Sequence, residues 1–132
     1  MKDLNFRQRD IEDYIELLIE NLKNLKDEKQ EFVWRLEDGK IYDTKSFNGW
    51  EWTQGVALYG IYKYYEQTGE KRLLDLLEEW YESRFEEGLP EKNVNTVAPM
   101  LTLAYLYELT KNPKYLPYLE IWSEWVMYGI SR

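Results

Sequence analysis

The sequence predicts an all-α fold of stacked helical hairpins, and three observations carry that prediction. First, the segment from Tyr65 to Glu82 recurs 42 positions later, pairing Tyr65 with Tyr107, Glu66 with Glu108, Thr68 with Thr110, Leu74 with Leu116, Leu77 with Leu119, Glu78 with Glu120, Trp80 with Trp122 and Glu82 with Glu124. Eight identities in eighteen positions at one offset mark a structural unit used twice, and a period of this length belongs to hairpins too small to bury their own apolar faces. Second, apolar residues recur at three- and four-residue spacing through most of the chain, which is the period of a helical face. Third, Gly69, Gly88 and Asn112-Pro113 stand where those periodic stretches end, as helix-stop chemistry requires.

The elements follow in order. From Asp10 to Leu25, the residues Ile11, Tyr14, Ile15, Leu18, Ile19, Leu22 and Leu25 form one apolar stripe, so the first helix is read as amphipathic with that stripe buried. Residues 27–48 are polar and interrupted. Asp38-Gly39 is a turn dipeptide there, flanked by a short extended pair around Phe32 to Trp34 and Lys40 to Tyr42, and a loop of this length tends to carry function or cover a site. The second helix, about Glu51 to Gln67, is apolar on more than one face, with Gly69 as its left-handed cap. The third, about Lys71 to Glu87, sets Leu73, Leu74, Leu76, Leu77, Trp80, Tyr81 and Phe85 on one broad stripe against many acids and stops at Gly88. The fourth is placed from Thr96, with Thr96 as N-cap and Pro99 in its first turn, and is again apolar on several faces. Pro117 opens the fifth, which carries Leu119, Ile121, Trp122, Trp125, Val126 and Met127. Amphipathic helices one, three and five thus alternate with more enclosed helices two and four, the pattern of an outer and an inner layer.

Composition narrows the chemistry. A chain of 132 residues builds one core, so residues 1–132 are read as a single domain. Hydrophobic residues are 44% and charged residues 32%, which is globular rather than disordered. The aromatic share of 17%, with 6 Trp and 12 Tyr, exceeds what a plain helical core requires and suits stacking on sugars, although most of these rings are read as packing between helices. With 25 acidic against 17 basic residues, the net charge of −8 argues against nucleic acid and anionic membranes as partners. There is no Cys and no His, which removes thiolate metal sites and the commonest general base, so any chemistry falls to carboxylates, Tyr or Lys. No cofactor or metal is expected. No apolar run approaches the roughly twenty residues of a membrane span and the first residues form no apolar signal segment, so a cytoplasmic protein is expected.

Two segments carry a resemblance. The block Trp50-Glu51-Trp52-Thr53-Gln54-Gly55-Val56-Ala57-Leu58-Tyr59-Gly60 and the stretch Asn93-Val94-Asn95-Thr96-Val97-Ala98-Pro99-Met100-Leu101 resemble the N-terminal third of unsaturated glucuronyl and rhamnogalacturonyl hydrolases, glycoside hydrolase families 88 and 105. The resemblance implies an incomplete (α/α)6 barrel of six-hairpin type, of which this chain holds about two and a half hairpins. It also implies an oligosaccharide substrate bearing a 4,5-unsaturated uronic acid, as lyases release from pectin. An aspartic acid of the family protonates the enol-ether double bond, water adds at the adjacent carbon, and the hemiketal opens.

The same resemblance assigns candidate binding residues. Trp50 and Trp52 either stack on a sugar face or wedge the long loop onto the second helix. Gln54 reaches a hydroxyl or carboxylate, or caps that helix. Asn95 stands where many relatives carry an acid, and an amide cannot serve as a carboxylate base; with Asn93 and Thr96 it either contacts sugar or caps the fourth helix. No residue matches the family's principal catalytic Asp or the Gly-Gly-Phe stretch before it, so no catalytic residue is assigned. The acids Glu78, Glu82, Glu120 and Glu124 are read as a solvated face. The chain is therefore expected to be inactive alone, or else a non-catalytic helical module that binds saccharide or protein. A tetratricopeptide scaffold ranks last, its period being about 34 residues. Hairpin edges without neighbours should expose apolar surface, so self-association or marginal stability is expected.

Overall fold

A computed structural model describes residues 7–130. The stretches 1–6 and 131–132, which the readings of a missing signal segment and of the resemblance's far end include, lie outside the described residues. By packing, the chain divides into two units, residues 1–49 and 50–132.

The first unit holds helix α1, Gln8–Lys23, and an antiparallel pair of strands, β1, Val33–Arg35, and β2, Ile41–Asp43. The strands lie one residue beyond the extended pair read from the sequence, with Trp34 opposite Tyr42 across the expected Asp38-Gly39 turn. The α1 stripe departs from expectation. Ile19 is its one buried member, while Ile11, Tyr14 and Leu18 are about half or more exposed. Two strands are marginal by themselves. Here a pair of aspartates fastens them. Asp43 accepts the Asp27 N–H at 2.8 Å and the Lys45 and Ser46 N–H groups at 2.8 and 3.2 Å, while the buried Asp27 carboxylate accepts the Phe32 N–H and pairs with Lys45 at 3.8 Å.

The second unit is two stacked hairpins. Helices α2, Trp52–Thr68, and α3, Lys71–Glu87, form the first; α4, Pro99–Thr110, and α5, Leu116–Glu124, form the second. Helix α2 packs on both α3 and α4, and α4 on α5, which makes α2 and α4 the inner pair. Leu58, Leu73, Leu77, Leu103 and Leu106 are fully buried between them, each contributing about 1.5–3 kcal/mol relative to exposure. After Glu124 the chain widens into a π-helical turn, Trp125–Gly129, where a Cβ at Gly129 would collide with the Trp125 ring. The fourth helix begins at Pro99, not at Thr96 as expected, and its N-cap is Ala98. The physical reason is that the Thr96 hydroxyl is committed to the preceding loop, where it donates to the Glu91 carbonyl at 2.8 Å and accepts the Asn93 N–H at 2.8 Å.

The repeat extends to individual hydrogen bonds. Thr68 and Thr110 each return a hydroxyl to the carbonyl four residues back, Tyr64 and Leu106, at 3.0 and 2.8 Å. One residue later the chain enters the left-handed region at Gly69 (φ 66°) and, one repeat on, at Lys111 (φ 54°), and each N–H returns to a Tyr carbonyl at 2.8 Å. Glycine accepts that conformation freely, whereas a residue with a Cβ loses roughly 1–2 kcal/mol there.

Two predictions follow from these caps and clasps. Lys111→Gly removes the left-handed strain and forfeits the Lys111 contact with the Tyr107 ring at 5.7 Å, which is worth about 0.5 kcal/mol. The expected net gain is about 0.5–1 kcal/mol, read as a higher thermal midpoint, and a lower midpoint would contradict it. In the strand unit, backbone N–H groups, that of Asp27 foremost, hold the Asp43 carboxyl below its ordinary value of 3.8. A carboxyl depressed on folding stabilises the fold at pH values above its unfolded pKa, and that contribution fades as pH falls through the folded value. Amide-exchange protection at Asp27, Lys45 and Ser46 should therefore hold at neutral pH and decline below about pH 4, and in Asp43→Ala it should already be low at neutral pH.

Candidate functional site

The two segments that carry the family resemblance meet at one end of the second unit, where α2 and α4 begin. Two close approaches hold them together. The buried Trp50 indole donates its Nε1–H to the Thr96 carbonyl at 2.7 Å. One turn into α2, Gly55 lies so near α4 that a Cβ there would sit 2.8 Å from both the Ala98 carbonyl carbon and its Cβ. A side chain at Gly55 would force the helix ends apart, so the glycine sets their spacing.

The loop before α4 is shaped by its own polar side chains. Asn93 accepts the N–H groups of Asn95 and Thr96 at 2.8 and 3.0 Å, forming an Asx-type turn that presents Asn95 outward. Thr96 faces inward at 2% exposure and bonds to Glu91 and Asn93. The Trp50 ring stacks on Trp80 at 5.4 Å, meets Tyr81 edge-on at 5.9 Å, and is flanked by Trp122 and Phe85. Those contacts occupy the ring as a packing element. Trp52, by contrast, is 54% exposed at the first residue of α2. Gln54 is buried and its Oε1 accepts the Thr53 hydroxyl at 2.9 Å.

Of the five residues singled out from the sequence, the structure therefore brings all to one end of the inner helices and divides them by exposure. Trp50, Gln54 and Thr96 lie inside; Trp52 and Asn95 lie at the surface. This end can offer an aromatic face and a neutral amide that both donates and accepts. Sequence reasoning gave no role to Gly55 and placed Tyr81 only on the apolar stripe of the third helix. Tyr81, fully buried, donates its hydroxyl to the Pro99 carbonyl at 2.6 Å and ties α3 to the first turn of α4, and burial pushes its phenol well above the ordinary range. Only a glycine inside a helical pattern hinted at the first, and nothing in apolar spacing separates Tyr81 from its packing neighbours.

A concavity of about 240 Å³ lies between α3 and the α4–α5 turn, lined by Glu78, Glu82, Phe85, Asn112, Lys114 and Tyr115. Lys114 pairs with Glu82 at 3.1 Å, and burial followed by the Glu78 charge raises the Tyr115 phenol. Among the described residues, no cluster of three or more His, Cys, Asp or Glu is placed to hold a metal.

Two substitutions in α2 should have opposite signs. At Gly55→Ala the clash with Ala98 costs about 1–3 kcal/mol and outweighs the helix propensity gained. Gly60 is exposed and a Cβ there meets nothing within 4 Å, so Gly60→Ala should stabilise by up to about 1 kcal/mol. Denaturant midpoints of the two variants check the pair, and a shift of the same sign in both would refute the assigned packing.

Comparison with known proteins agrees with this geometry. The chain is 34% identical over 83 residues to the unsaturated rhamnogalacturonyl hydrolase YesR of Bacillus subtilis, covering 63% of this chain and 24% of that protein. Crystal structures of possible GH105 family members from Klebsiella pneumoniae and Salmonella enterica superpose on the whole chain with a TM-score of 0.90 for each, at 47% and 48% identity. The chain spans about a third of each of those two structures. Its helices are thus hairpins of the (α/α)6 barrel type, present in part. Residues 24–132 match Glycosyl Hydrolase Family 88, and the chain belongs to that family.

Proposed function

We propose that the adjoining N-terminal ends of α2 and α4 form one wall of the saccharide cleft of a hydrolase that removes 4,5-unsaturated uronic acid from lyase-generated oligosaccharides. The observation that carries this reading is the Trp50–Thr96 bond, which draws the two family segments to one end and leaves Trp52 and Asn95 at the surface. An exposed indole offers a flat apolar face to a sugar ring, and an amide can bind a hydroxyl from either of its ends and a uronate oxygen through its NH2 group. The name of the Bacillus subtilis relative, an unsaturated rhamnogalacturonyl hydrolase, supports the substrate class.

In this reaction an acid delivers a proton to the enol-ether carbon, water adds at the neighbouring carbon, and the hemiketal opens to release the remaining saccharide. The usual rule relating carboxylate separation to stereochemistry does not govern such a hydration. Asn95 cannot deliver the proton, and no residue of this sequence matches the family's catalytic Asp. The chain alone therefore contributes binding and not turnover, a division it shares with a purely saccharide-binding module.

Incubation with an unsaturated galacturonyl–rhamnose disaccharide should leave the ultraviolet absorbance of the double bond unchanged, while tryptophan fluorescence titrates saturably. Trp52→Ala should abolish the saturable signal with stability changed by no more than about 0.5 kcal/mol, as expected for an exposed side chain. Decay of the absorbance would refute the absence of turnover. A titration untouched by Trp52→Ala would refute the placement of the sugar.

A further inference from the structure

The concavity between α3 and the α4–α5 turn is separate from the end where the two family segments meet. It adjoins the turn that follows α4, while those segments meet where α4 begins, and the 12 residues of that helix set about 18 Å between the two places. At about 240 Å³ it falls below the roughly 300–1,000 Å³ of sites for drug-sized ligands, which leaves room for one sugar-sized ring. Tyr115 is its distinguishing residue. The 42-residue repeat pairs Tyr115 with Leu73, and both are buried, at 4% and 0% exposure. A leucine therefore suffices for packing at this address. Burying a hydroxyl costs free energy unless it is bonded, so the phenol oxygen is an addition that packing does not explain.

The groups around that oxygen discriminate among ligands. Asn112 Oδ1 accepts the Lys114 N–H at 3.1 Å, which leaves the amide NH2 to donate to the Tyr115 oxygen. Tyr115 keeps its own proton at neutral pH, because burial and then the Glu78 charge raise its phenol, so its O–H is a donor to the concavity. Glu78 offers a carboxylate on the same wall, and Glu82 is engaged by Lys114 at 3.1 Å. An anion would meet both carboxylates. An ammonium would satisfy Glu78 but can only donate, and would leave the phenol proton without an acceptor. A hydroxyl accepts and donates, so neighbouring hydroxyls answer Tyr115 and Glu78 together. Phe85, held flat against Tyr118 at 3.9 Å, adds an apolar edge for ring C–H groups. We propose that this concavity is a saccharide subsite for one neutral pyranose, remote from the cleft proposed above and independent of it.

The test is titration of the chain with the methyl glycosides of glucose, galactose, mannose and rhamnose, followed by backbone amide shifts. At least one should shift the amides of Glu78, Asn112, Lys114 and Tyr115 saturably, with a Kd on the order of millimolar for so small a ring. Glucuronate, a pyranose bearing a carboxylate, and cyclohexylammonium, a ring-sized cation without hydroxyls, should each bind at least about tenfold more weakly than the best sugar. Tyr115→Phe keeps the ring and removes the hydroxyl, and should weaken that sugar by about tenfold. Glu78→Gln, at a half-buried position, should weaken it several-fold, and it carries the test should Tyr115→Phe lose its helical circular dichroism. No shift at these amides with any of the four sugars, glucuronate or cyclohexylammonium binding as tightly as the best sugar, or binding untouched by either folded variant would each overturn the inference. Shifts confined to Trp52 and Asn95 would report the other end of α4 alone and likewise overturn it.

Discussion

The Trp50 indole is the point on which the second unit depends. Its N–H reaches the Thr96 carbonyl across 46 positions of sequence, and its ring lies among Trp80, Tyr81 and Phe85 of α3 and Trp122 of α5. One side chain therefore joins the entry to α2, the outer helices of both hairpins and the loop before α4. A large ring buried here contributes several kcal/mol through area alone. Its N–H would cost about 1–3 kcal/mol if it found no acceptor, so the carbonyl that receives it must be held in place. Thr96 is held by its own hydroxyl, bonded to Glu91 and Asn93. The polar loop and the aromatic cluster are thus mutually dependent: a loosened Asn93–Thr96 turn would leave the indole without its acceptor.

Much of this was legible in the sequence, and the reasons differ by element. The boundaries of α3 matched expectation because Lys71 begins, and Gly88 follows, a long amphipathic stretch with strong propensity. The repeat disclosed the hairpins because near-identical residues perform near-identical tasks, down to the threonine bonds at the ends of α2 and α4. The start of α4 was misplaced because Thr has two competing uses at such a site. Its hydroxyl can cap the helix or close the loop before it, and only the three-dimensional position of Glu91 decides. The α1 stripe read as buried because periodicity reports which residues seek a partner, not whether the partner is there.

The candidate site was legible in part for the same reason. The Trp-x-Trp pattern marks two rings of one chemical type, but burial assigns them different work. Trp50, two residues before the first residue of α2, turns into the aromatic cluster, whereas Trp52, that first residue, projects to the surface. Gly55 is the clearer lesson. In a helix it reads as a cost of about 1 kcal/mol, and that cost is offset only when a second backbone must come close. Gly60 carries the same cost with nothing beside it, so identical residues five positions apart in one helix have opposite physical meanings.

The architecture also constrains where chemistry can arise. Each inner helix brings its N-terminal end to the shared end of the unit, and these carry Trp52, the first residue of α2, and Asn95, in the loop before α4. A proton donor working near neutral pH must hold its proton, which requires a carboxyl whose pKa is raised by desolvation or by a like charge. The end of α2 and α4 supplies neither, because Trp52 and Asn95 are both open to water. A carboxyl introduced at the exposed position 95 would lack the burial that raises a pKa. On the proposed reading, a proton donor at this end would need a cover that excludes water, because desolvation is what lets a carboxyl hold its proton near neutral pH.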